Sequence, residues 1–421
     1  MNSVAVIGAG HGGVAIAGML RQRGYRERID LYGAETNHPY HRPPLSKKFA
    51  QDPLPQWLRP QAFYAEQGIG LRLGERVTSI DPGTGAIETG GLAGRYEHIV
   101  LATGARPRRL PLPGAELAGV LHLRTVDDAL ALRAQVGAGQ RLVVIGGGYV
   151  GLEVAIAARE QLTEVVVLER EPRVLNRVAS KQLSEFVTGF HRAQGVVIRE
   201  KADVVEVVGR DGRVRSVRLA DGTTVPCDAV LIGVGAVPRE ELAVAAGLRC
   251  DAGIVVDGAA RTSAARILAV GDATRRPVGR RGDMLRLESI PSANEQASQA
   301  AATILGEPAR AEHEVPWFWS DQADVKIKIA GVLSGDVVSS VVRGNAEARR
   351  FSVFHLDNAD TVVAVESVSA PADFMAGKSL IARRTRVDPT RLADQRTSLR
   401  DIVPAALSRA NQKRAYADHH L

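Results

Sequence analysis

The sequence predicts an α/β fold with two Rossmann-like lobes of the three-layer ββα type, followed by a C-terminal α+β domain. An apolar run at residues 4–7, typical of a buried parallel strand, enters the motif Gly8-x-Gly10-x-x-Gly13 and continues with helical periodicity. The same pattern returns in residues 142–151, LVVIGGGYVG. From about residue 316 the pattern changes to alternating strands and then helices, which predicts the third domain.

The glycines of these fingerprints indicate dinucleotide binding. Gly8 permits a tight turn, Gly10 lets the backbone approach a pyrophosphate, and Gly13 lets helix and strand pack closely. Phosphates then meet free N–H groups at the positive end of the helix. One such motif could be a glycine-rich turn without a ligand, whereas two in one chain predict two dinucleotides. The predicted contacts are Gly8, Gly10, Gly12 and Gly13 in the first lobe, and Gly146, Gly148, Tyr149, Val150, Gly151 and Gly235 in the second.

An acidic residue follows the second strand of each lobe. Glu35 comes after the strand predicted near residues 28–32, and Glu169 lies eighteen residues after Gly151. Carboxylates at this position accept hydrogen bonds from ribose hydroxyls. Glu169 should also repel a 2′-phosphate and so favour NADH, although Arg170 and Arg173 follow it. A solvated turn acid is the alternative for Glu35.

Length and composition narrow the class of protein. A chain of 421 residues with 45% hydrophobic and 24% charged residues fits two or three soluble domains. Cys227 and Cys250 exclude a disulfide scaffold and a cysteine-cluster metal site, and their spacing does not suit a redox-active pair. No metal site is expected. The start shows no signal-peptide pattern and no run long enough to span a membrane, so we expect a cytoplasmic protein without membrane contact.

The chain carries a net charge of +7, and most of this excess lies in residues 376–421. Nucleic-acid binding is disfavoured, because aromatic residues are only 4% and no recognised nucleic-acid motif occurs. An acidic protein partner fits better, and a solvated basic face is the alternative. This segment contains four acidic and ten basic residues. The basic residues are Lys378, Arg383, Arg384, Arg386, Arg391, Arg396, Arg400, Arg409, Lys413 and Arg414.

A proline-rich loop follows Glu35. Residues 39–47, PYHRPPLSK, contain three prolines, which suppress helix before Leu45 and stiffen the loop. Arg42 and Lys47 are therefore held rather than mobile. One of them can meet a pyrophosphate and the other an electron-rich ring edge.

This loop and several later segments together resemble a known family. The segments are PYHRPPLSK, LATGARPRRLP, LHLRTVDDA, GGGYVGLEVA, AVGDAT, RLESIPSANEQA and PWFWSDQ. They are similar to the FAD-dependent NADH:ferredoxin reductases of the putidaredoxin reductase type, within the glutathione-reductase-like flavoproteins. The resemblance spans almost the whole chain. It implies FAD and NADH as cofactors, and hydride transfer to FAD followed by single-electron transfer to a ferredoxin.

The resemblance also implies individual roles. Lys47 favours electron density on the flavin, and Glu153 lies near both the flavin and the Lys47 ammonium. From the residues alone, Glu153 could equally be an acid that favours the first turn of a helix. Arg239 after Pro238, and Ser369, stand where the family usually carries Asn. The remaining FAD contacts implied are Arg42, Val77, Ala102, Thr103, Gly104, Arg124, Gly271, Asp272, Ile290 and Trp319.

The sequence thus predicts an interrupted FAD domain, residues 1–111 and 238–315, with an NAD domain at 112–237 and a C-terminal domain at 316–421. The predicted acceptor is an acidic two-iron ferredoxin that supplies a haem monooxygenase or a ring-hydroxylating dioxygenase, and the predicted state is a monomer or weak dimer. Two alternatives stay open. A flavin disulfide or peroxide reductase would need a cysteine near the flavin, and a signalling protein resembling apoptosis-inducing factor would reduce protein acceptors slowly.

Overall fold

The structure is a computed structural model that describes residues 3–91, 93–279, 282–308, 314–333 and 335–402. The chain divides into two compact units. Unit 1 comprises Met1–Leu175 and Thr188–Glu314, and unit 2 comprises Asn176–Val187 and Val315–Leu421.

The amino-terminal part of unit 1 alternates strands and helices. Its elements are β1 Ser3–Ile7, α1 His11–Gln22, β2 Arg28–Gly33, α2 Pro44–Lys47, α3 Ala62–Glu66, β3 Ile69–Leu73, β4 Val77–Ile80, β5 Ala86–Thr89, β6 Ala93–Arg95, β7 His98–Leu101, β8 Ala105–Pro107, β9 Val120–Leu121 and α4 Val126–Arg133.

The middle of the chain repeats this alternation. Its elements are β10 Arg141–Ile145, α5 Tyr149–Glu160, β11 Glu164–Glu169, α6 Lys181–Ala193, β12 Val197–Glu200, β13 Val204–Arg210, β14 Arg213–Leu219, β15 Thr224–Pro226, β16 Ala229–Ile232, β17 Ala236–Pro238 and α7 Glu241–Ala245. The elements that follow are β18 Ile254–Val255, β19 Ile267–Ala269, a 3-10 turn Gly271–Ala273, β20 Thr274–Val278, β21 Asp283–Leu285 and α8 Ile290–Ile304.

The first lobe has three layers around a parallel sheet of order β19-β7-β1-β2-β3. On one face, Val4 and Val6 of β1 share a core with α1 and α8. On the other, Ala5 and Ile7 share a core with the antiparallel sheet β4-β5-β6. Because both faces are covered, β1 is apolar at every position after Ser3 rather than alternating.

The second lobe repeats this plan, and the predicted α/β fold is confirmed. Its parallel sheet has the order β12-β11-β10-β16-β9, and the antiparallel sheet β13-β14-β15 covers one face through a shared apolar core. The chain then returns to the first sheet, where β19 pairs with β7. Strands β8 and β17 pair antiparallel, so the two crossings between the lobes run side by side.

Unit 2 contains an antiparallel sheet followed by short helices. Its elements are β22 Trp317–Gln322, β23 Val325–Gly331, β24 Ser339–Asn345, β25 Arg350–Leu356, β26 Val362–Val368, α9 Pro371–Arg383, α10 Pro389–Ala393 and α11 Leu399–Ile402. The sheet order is β22-β23-β26-β25-β24. The buried Arg343 of β24 donates to the carbonyl oxygens of Leu392 and Asp394 at 3.1 and 2.7 Å, which ties the end of α10 to the sheet.

Within the described ranges, every helix falls short of the length and apolar character needed to cross a membrane. The same residues contain no group of three or more His, Cys, Asp or Glu side chains arranged to hold a metal ion.

Candidate dinucleotide and redox site

The first fingerprint forms a turn that only glycine can make. A Cβ on Gly8 would lie 2.1 Å from the Ala102 carbonyl oxygen, and one on Gly13 would lie 1.9 Å from the Gly8 carbonyl oxygen. In contrast, no atom lies within 4 Å of a Cβ placed on Gly10. The backbone of the turn is thus packed tightly at Gly8 and Gly13 but accessible at Gly10. Helix α1 begins at the next residue, His11. This geometry suits the approach of a pyrophosphate to the helix N-terminus.

Four of the predicted cofactor contacts are joined in one network. Arg42 donates to Glu35 Oε1 at 2.8 Å and to the Arg124 carbonyl oxygen at 2.6 Å. Arg124 in turn donates to Asp272 Oδ2 at 3.0 Å. Burial alone would raise the pKa of Glu35, but Arg42 and hydrogen bonds from Tyr40 and Arg42 hold it below its ordinary value. Glu35 is therefore an ionised acceptor, the form that a ribose hydroxyl needs.

Tyr40 is a site residue that the sequence reasoning missed, although it stands in the proline-rich loop. Its hydroxyl donates to Glu35 and accepts from the Val126 N–H at 3.1 Å. Burial, and then the neighbouring carboxylate of Glu35, raise the pKa of Tyr40 to about 12. The phenol is therefore neutral and holds the Glu35 carboxylate against the start of α4.

Two histidines that the sequence reasoning also missed meet at the first fingerprint, His11 within it and His41 in the proline-rich loop. His11 Nε2 is 3.3 Å from His41 Nδ1. Burial, followed by His41, Arg42 and Arg124, lowers the pKa of His11 to about 3, so its ring is neutral at physiological pH. A neutral imidazole pair can share one hydrogen bond without adding charge to the helix N-terminus.

Lys47 and Glu153 meet in a buried ion pair between the two lobes. The Lys47 ammonium donates to Glu153 Oε1, and the Ser46 hydroxyl donates to Glu153 Oε2 at 2.5 Å. Only 12% of the Lys47 side chain and 5% of the Glu153 side chain are exposed. Lys47 ends α2 in the first lobe, and Glu153 lies in the first turns of the fingerprint helix α5 in the second. Ser46 stands next to Lys47 in the sequence but was not predicted to bind Glu153.

The second fingerprint repeats the geometry of the first. A Cβ on Gly146 would lie 2.6 Å from the Gly233 carbonyl oxygen, and one on Gly151 would lie 2.4 Å from the Gly146 carbonyl oxygen. Glu169 ends β11 and accepts from the backbone N–H groups of Gly147 at 2.7 Å and Glu171 at 2.8 Å. Its carboxylate is therefore held at the fingerprint turn. Gly148, Tyr149 and Val150 stand at the start of α5.

Other predicted contacts lie around the carboxyl ends of the first sheet. Ala102 follows β7 and donates its N–H to the Ile7 carbonyl oxygen at 2.8 Å, and Thr103 and Gly104 continue this turn. Gly271 and Asp272 form the 3-10 turn after β19. The remaining predicted contacts of the first lobe are Gly12 in α1, Val77 at the start of β4 and Ile290 at the start of α8. Gly235, predicted for the second lobe, lies just before β17.

Trp319 lies in β22 of unit 2, where its ring centroid is 5.7 Å from that of Trp317. Its predicted position near the flavin stays a prediction. The other site residues belong to unit 1.

The residues of the first lobe fit FAD. The open backbone at Gly10 leaves room for a diphosphate, and the positive charges of Arg42 and Arg124 act on His11, the next residue. Glu35 is a carboxylate suited to a ribose, and Asp272 one suited to a ribityl hydroxyl. The second lobe fits a nicotinamide dinucleotide through its own fingerprint and Glu169.

Two families match this chain. Pyridine nucleotide-disulphide oxidoreductase matches residues 2–297, and the reductase C-terminal family matches residues 317–403. A probable ferredoxin reductase, CtmF, of Castellaniella defragrans is 43% identical and covers 94% of this chain and 97% of the relative. Putidaredoxin reductase CamA of Pseudomonas putida is 40% identical and covers 96% of this chain and 97% of the relative.

Solved structures agree with these matches. The ferredoxin reductase for the CYP199A2 system of Rhodopseudomonas palustris has a TM-score of 0.92 and 38% identity, and covers 96% of this chain and 100% of that one. The covalent putidaredoxin reductase–putidaredoxin complex has a TM-score of 0.92 and 39% identity, and covers 97% of this chain and 99% of that one. The predicted resemblance is confirmed: the chain is a flavin- and nicotinamide-dependent oxidoreductase that belongs to the pyridine nucleotide-disulphide oxidoreductases, among the ferredoxin reductases of the putidaredoxin reductase type.

Proposed function

We propose that this protein takes hydride from NADH and passes single electrons to an acidic two-iron ferredoxin, which supplies a haem monooxygenase or a ring-hydroxylating dioxygenase. The observation that carries the proposal is the buried Lys47–Glu153 pair, because it joins the two dinucleotide lobes by a charged contact. Bound FAD supplies the step from two-electron to one-electron chemistry. Lys47 keeps a positive charge at the redox site, and Glu153 and Ser46 hold that charge in position.

The names of relatives support a ferredoxin as the acceptor. They include a terpredoxin reductase and the ferredoxin–NAD(+) reductase component of a biphenyl dioxygenase system. The two cysteines do not support a disulfide reductase. Burial, and then Asp228, raise the pKa of Cys227 to about 12, and burial raises the pKa of Cys250. Both thiols stay protonated at neutral pH, and Cys227 lies in the apolar core of the second lobe.

We place the reaction in the cytoplasm, where NADH is supplied, and propose a monomer or weak dimer. The test uses the purified full-length chain, NADH and putidaredoxin as a two-iron acceptor. We expect a yellow protein with one noncovalent FAD per chain that reduces putidaredoxin. A folded, colourless protein that cannot be reconstituted with FAD would overturn the proposal. A protein that binds FAD but reduces only ferricyanide would support the signalling alternative instead.

Charge reversal at Arg384, Arg386 and Arg391 is expected to slow ferredoxin reduction. All three side chains are exposed, whereas Arg383 is only partly exposed and is therefore left unchanged. Two-iron ferredoxins are typically acidic, so the basic segment should steer their encounter, with a rate that falls as ionic strength rises. At about 0.15 M salt the Debye length is roughly 8 Å, so only charges near the contact count. Of the predicted basic cluster, Arg409, Lys413 and Arg414 lie outside the described residues.

The measurement is stopped-flow reduction of putidaredoxin by the triple Arg→Glu variant over a range of salt concentrations. Ferricyanide reduction by NADH serves as an internal control, because this small acceptor needs no docking surface. A second variant reverses the exposed Arg26, Arg95 and Arg210, which changes the net charge equally at other places. If both variants have the same ferredoxin rate and salt dependence, the segment is merely a solvated face.

A further inference from the structure

Arg239 has no role in the function proposed above. It follows Pro238, the last residue of β17. Its backbone N–H donates to the Gly104 carbonyl oxygen at 2.9 Å, and its carbonyl oxygen accepts from the Thr103 hydroxyl at 2.6 Å. Arg239 is therefore anchored against the turn after β7, which carries three of the predicted FAD contacts.

Arg124, an arginine of the FAD network, lies at the same turn. A Cβ on Gly104 would lie 3.3 Å from the Arg124 Nη2 atom, which places this guanidinium beside the Arg239 anchor. Arg42 is bonded to the Arg124 carbonyl oxygen. The charged groups that act on the half-buried Arg239 guanidinium are Arg76, Glu241, Arg124 and Arg42, and burial together with the three arginines holds the pKa of Arg239 below its ordinary value.

Both arginines of the FAD network, Arg42 and Arg124, have acidic partners. Arg42 pairs with Glu35 at 2.8 Å, and Arg124 pairs with Asp272 at 3.0 Å. Glu241 pairs with Arg106 at 3.2 Å, with 61% of the Glu241 side chain exposed. Among the described residues, no acidic side chain comes within ion-pair distance of Arg239.

A half-buried guanidinium beside like charges is costly unless an anion compensates for it. Since Arg239 is anchored on the first lobe, the dinucleotide of that lobe is the anion that can reach it. We infer that Arg239 is an additional binding residue for the diphosphate of FAD, which strengthens retention of the cofactor. The inference rests on the FAD-dependent function proposed above.

The test compares Arg239→Asn with the wild-type protein, because Asn removes the positive charge and keeps a polar side chain at this half-buried position. We expect the Kd for FAD, followed by flavin fluorescence, to rise about tenfold, the size of effect expected for one partly screened charge pair. The dependence of that Kd on salt should become weaker. Arg239→Lys should restore part of the affinity, since it keeps the charge.

Thermal unfolding of the FAD-free protein distinguishes ligand binding from a structural role. Removing a repelled cation should leave the melting temperature of FAD-free Arg239→Asn unchanged or raise it, while FAD affinity falls. Arg95→Asn is the matched control, because it removes an exposed positive charge from the same lobe. A variant that binds FAD as tightly as wild type would overturn the inference, and so would a parallel loss of affinity and FAD-free stability. A wild-type protein that binds no FAD would instead refute the proposed function.

Discussion

Replacing Lys47 with Met is expected to slow the reduction of bound flavin by NADH about tenfold or more, while FAD is partly retained. A unit charge about 4 Å from a developing charge contributes roughly 4 kcal/mol at an effective dielectric near 20. Even about a third of this corresponds to a roughly tenfold change in rate. Single-turnover stopped flow at the flavin absorbance measures the step directly. If Lys47→Met reduced its flavin at the wild-type rate, Lys47 would serve only to anchor the loop.

The same variant should lose stability, because it leaves the buried Glu153 carboxylate with the Ser46 hydroxyl but without its cation. Removing one partner of a buried ion pair costs about 3–5 kcal/mol. The matched control is the double variant Lys47→Met/Glu153→Gln, in which neither buried charge is present. We expect it to recover most of the lost stability in urea unfolding, but not the rate of flavin reduction. Recovery of both would mean that Lys47 acts only through the fold.

Replacing Glu169 with Gln is expected to reduce the preference for NADH over NADPH by about tenfold. The Glu169 carboxylate is fixed by the N–H groups of Gly147 and Glu171, at the turn where the adenosine ribose of the nicotinamide dinucleotide should bind. A 2′-phosphate there would meet a negative charge, and a repulsion of about 1.4 kcal/mol already gives a factor of ten in kcat/KM. The measurement is the ratio of kcat/KM for the two nucleotides with ferricyanide as acceptor.

Gln is chosen over Ala because its amide oxygen can still accept one of the two backbone hydrogen bonds. Glu171→Gln serves as the matched control, since it removes the neighbouring carboxylate that pairs with the exposed Arg170 at 3.5 Å. We expect that control to keep the preference for NADH. Equal use of both nucleotides by the wild-type protein would contradict the role of Glu169 and would point to Arg170 as a phosphate contact.

Much of the fold could be predicted because its signals are local. The run at residues 4–7 is continuously apolar because helices cover one face of the sheet and an antiparallel sheet covers the other. The strands of unit 2 were predicted from the change to a strand pattern near residue 316. Gly8 and Gly13 were recognisable because a side chain at either position would collide with backbone. The assignment of Glu35 and Glu169 relied on their spacing after these turns.

The sequence by itself determined the two dinucleotide lobes, the third domain and the residue types available at each turn, since these follow from patterns over a few neighbouring residues. Only the tertiary structure decided which side chains meet. Ser46 reaches Glu153 across 107 positions, and Arg239 lies against Thr103 across 136. Tyr40 holds the Glu35 carboxylate only because the proline-rich loop folds back over it. Such contacts depend on how loops and lobes pack in three dimensions, and they leave no periodic pattern in the sequence.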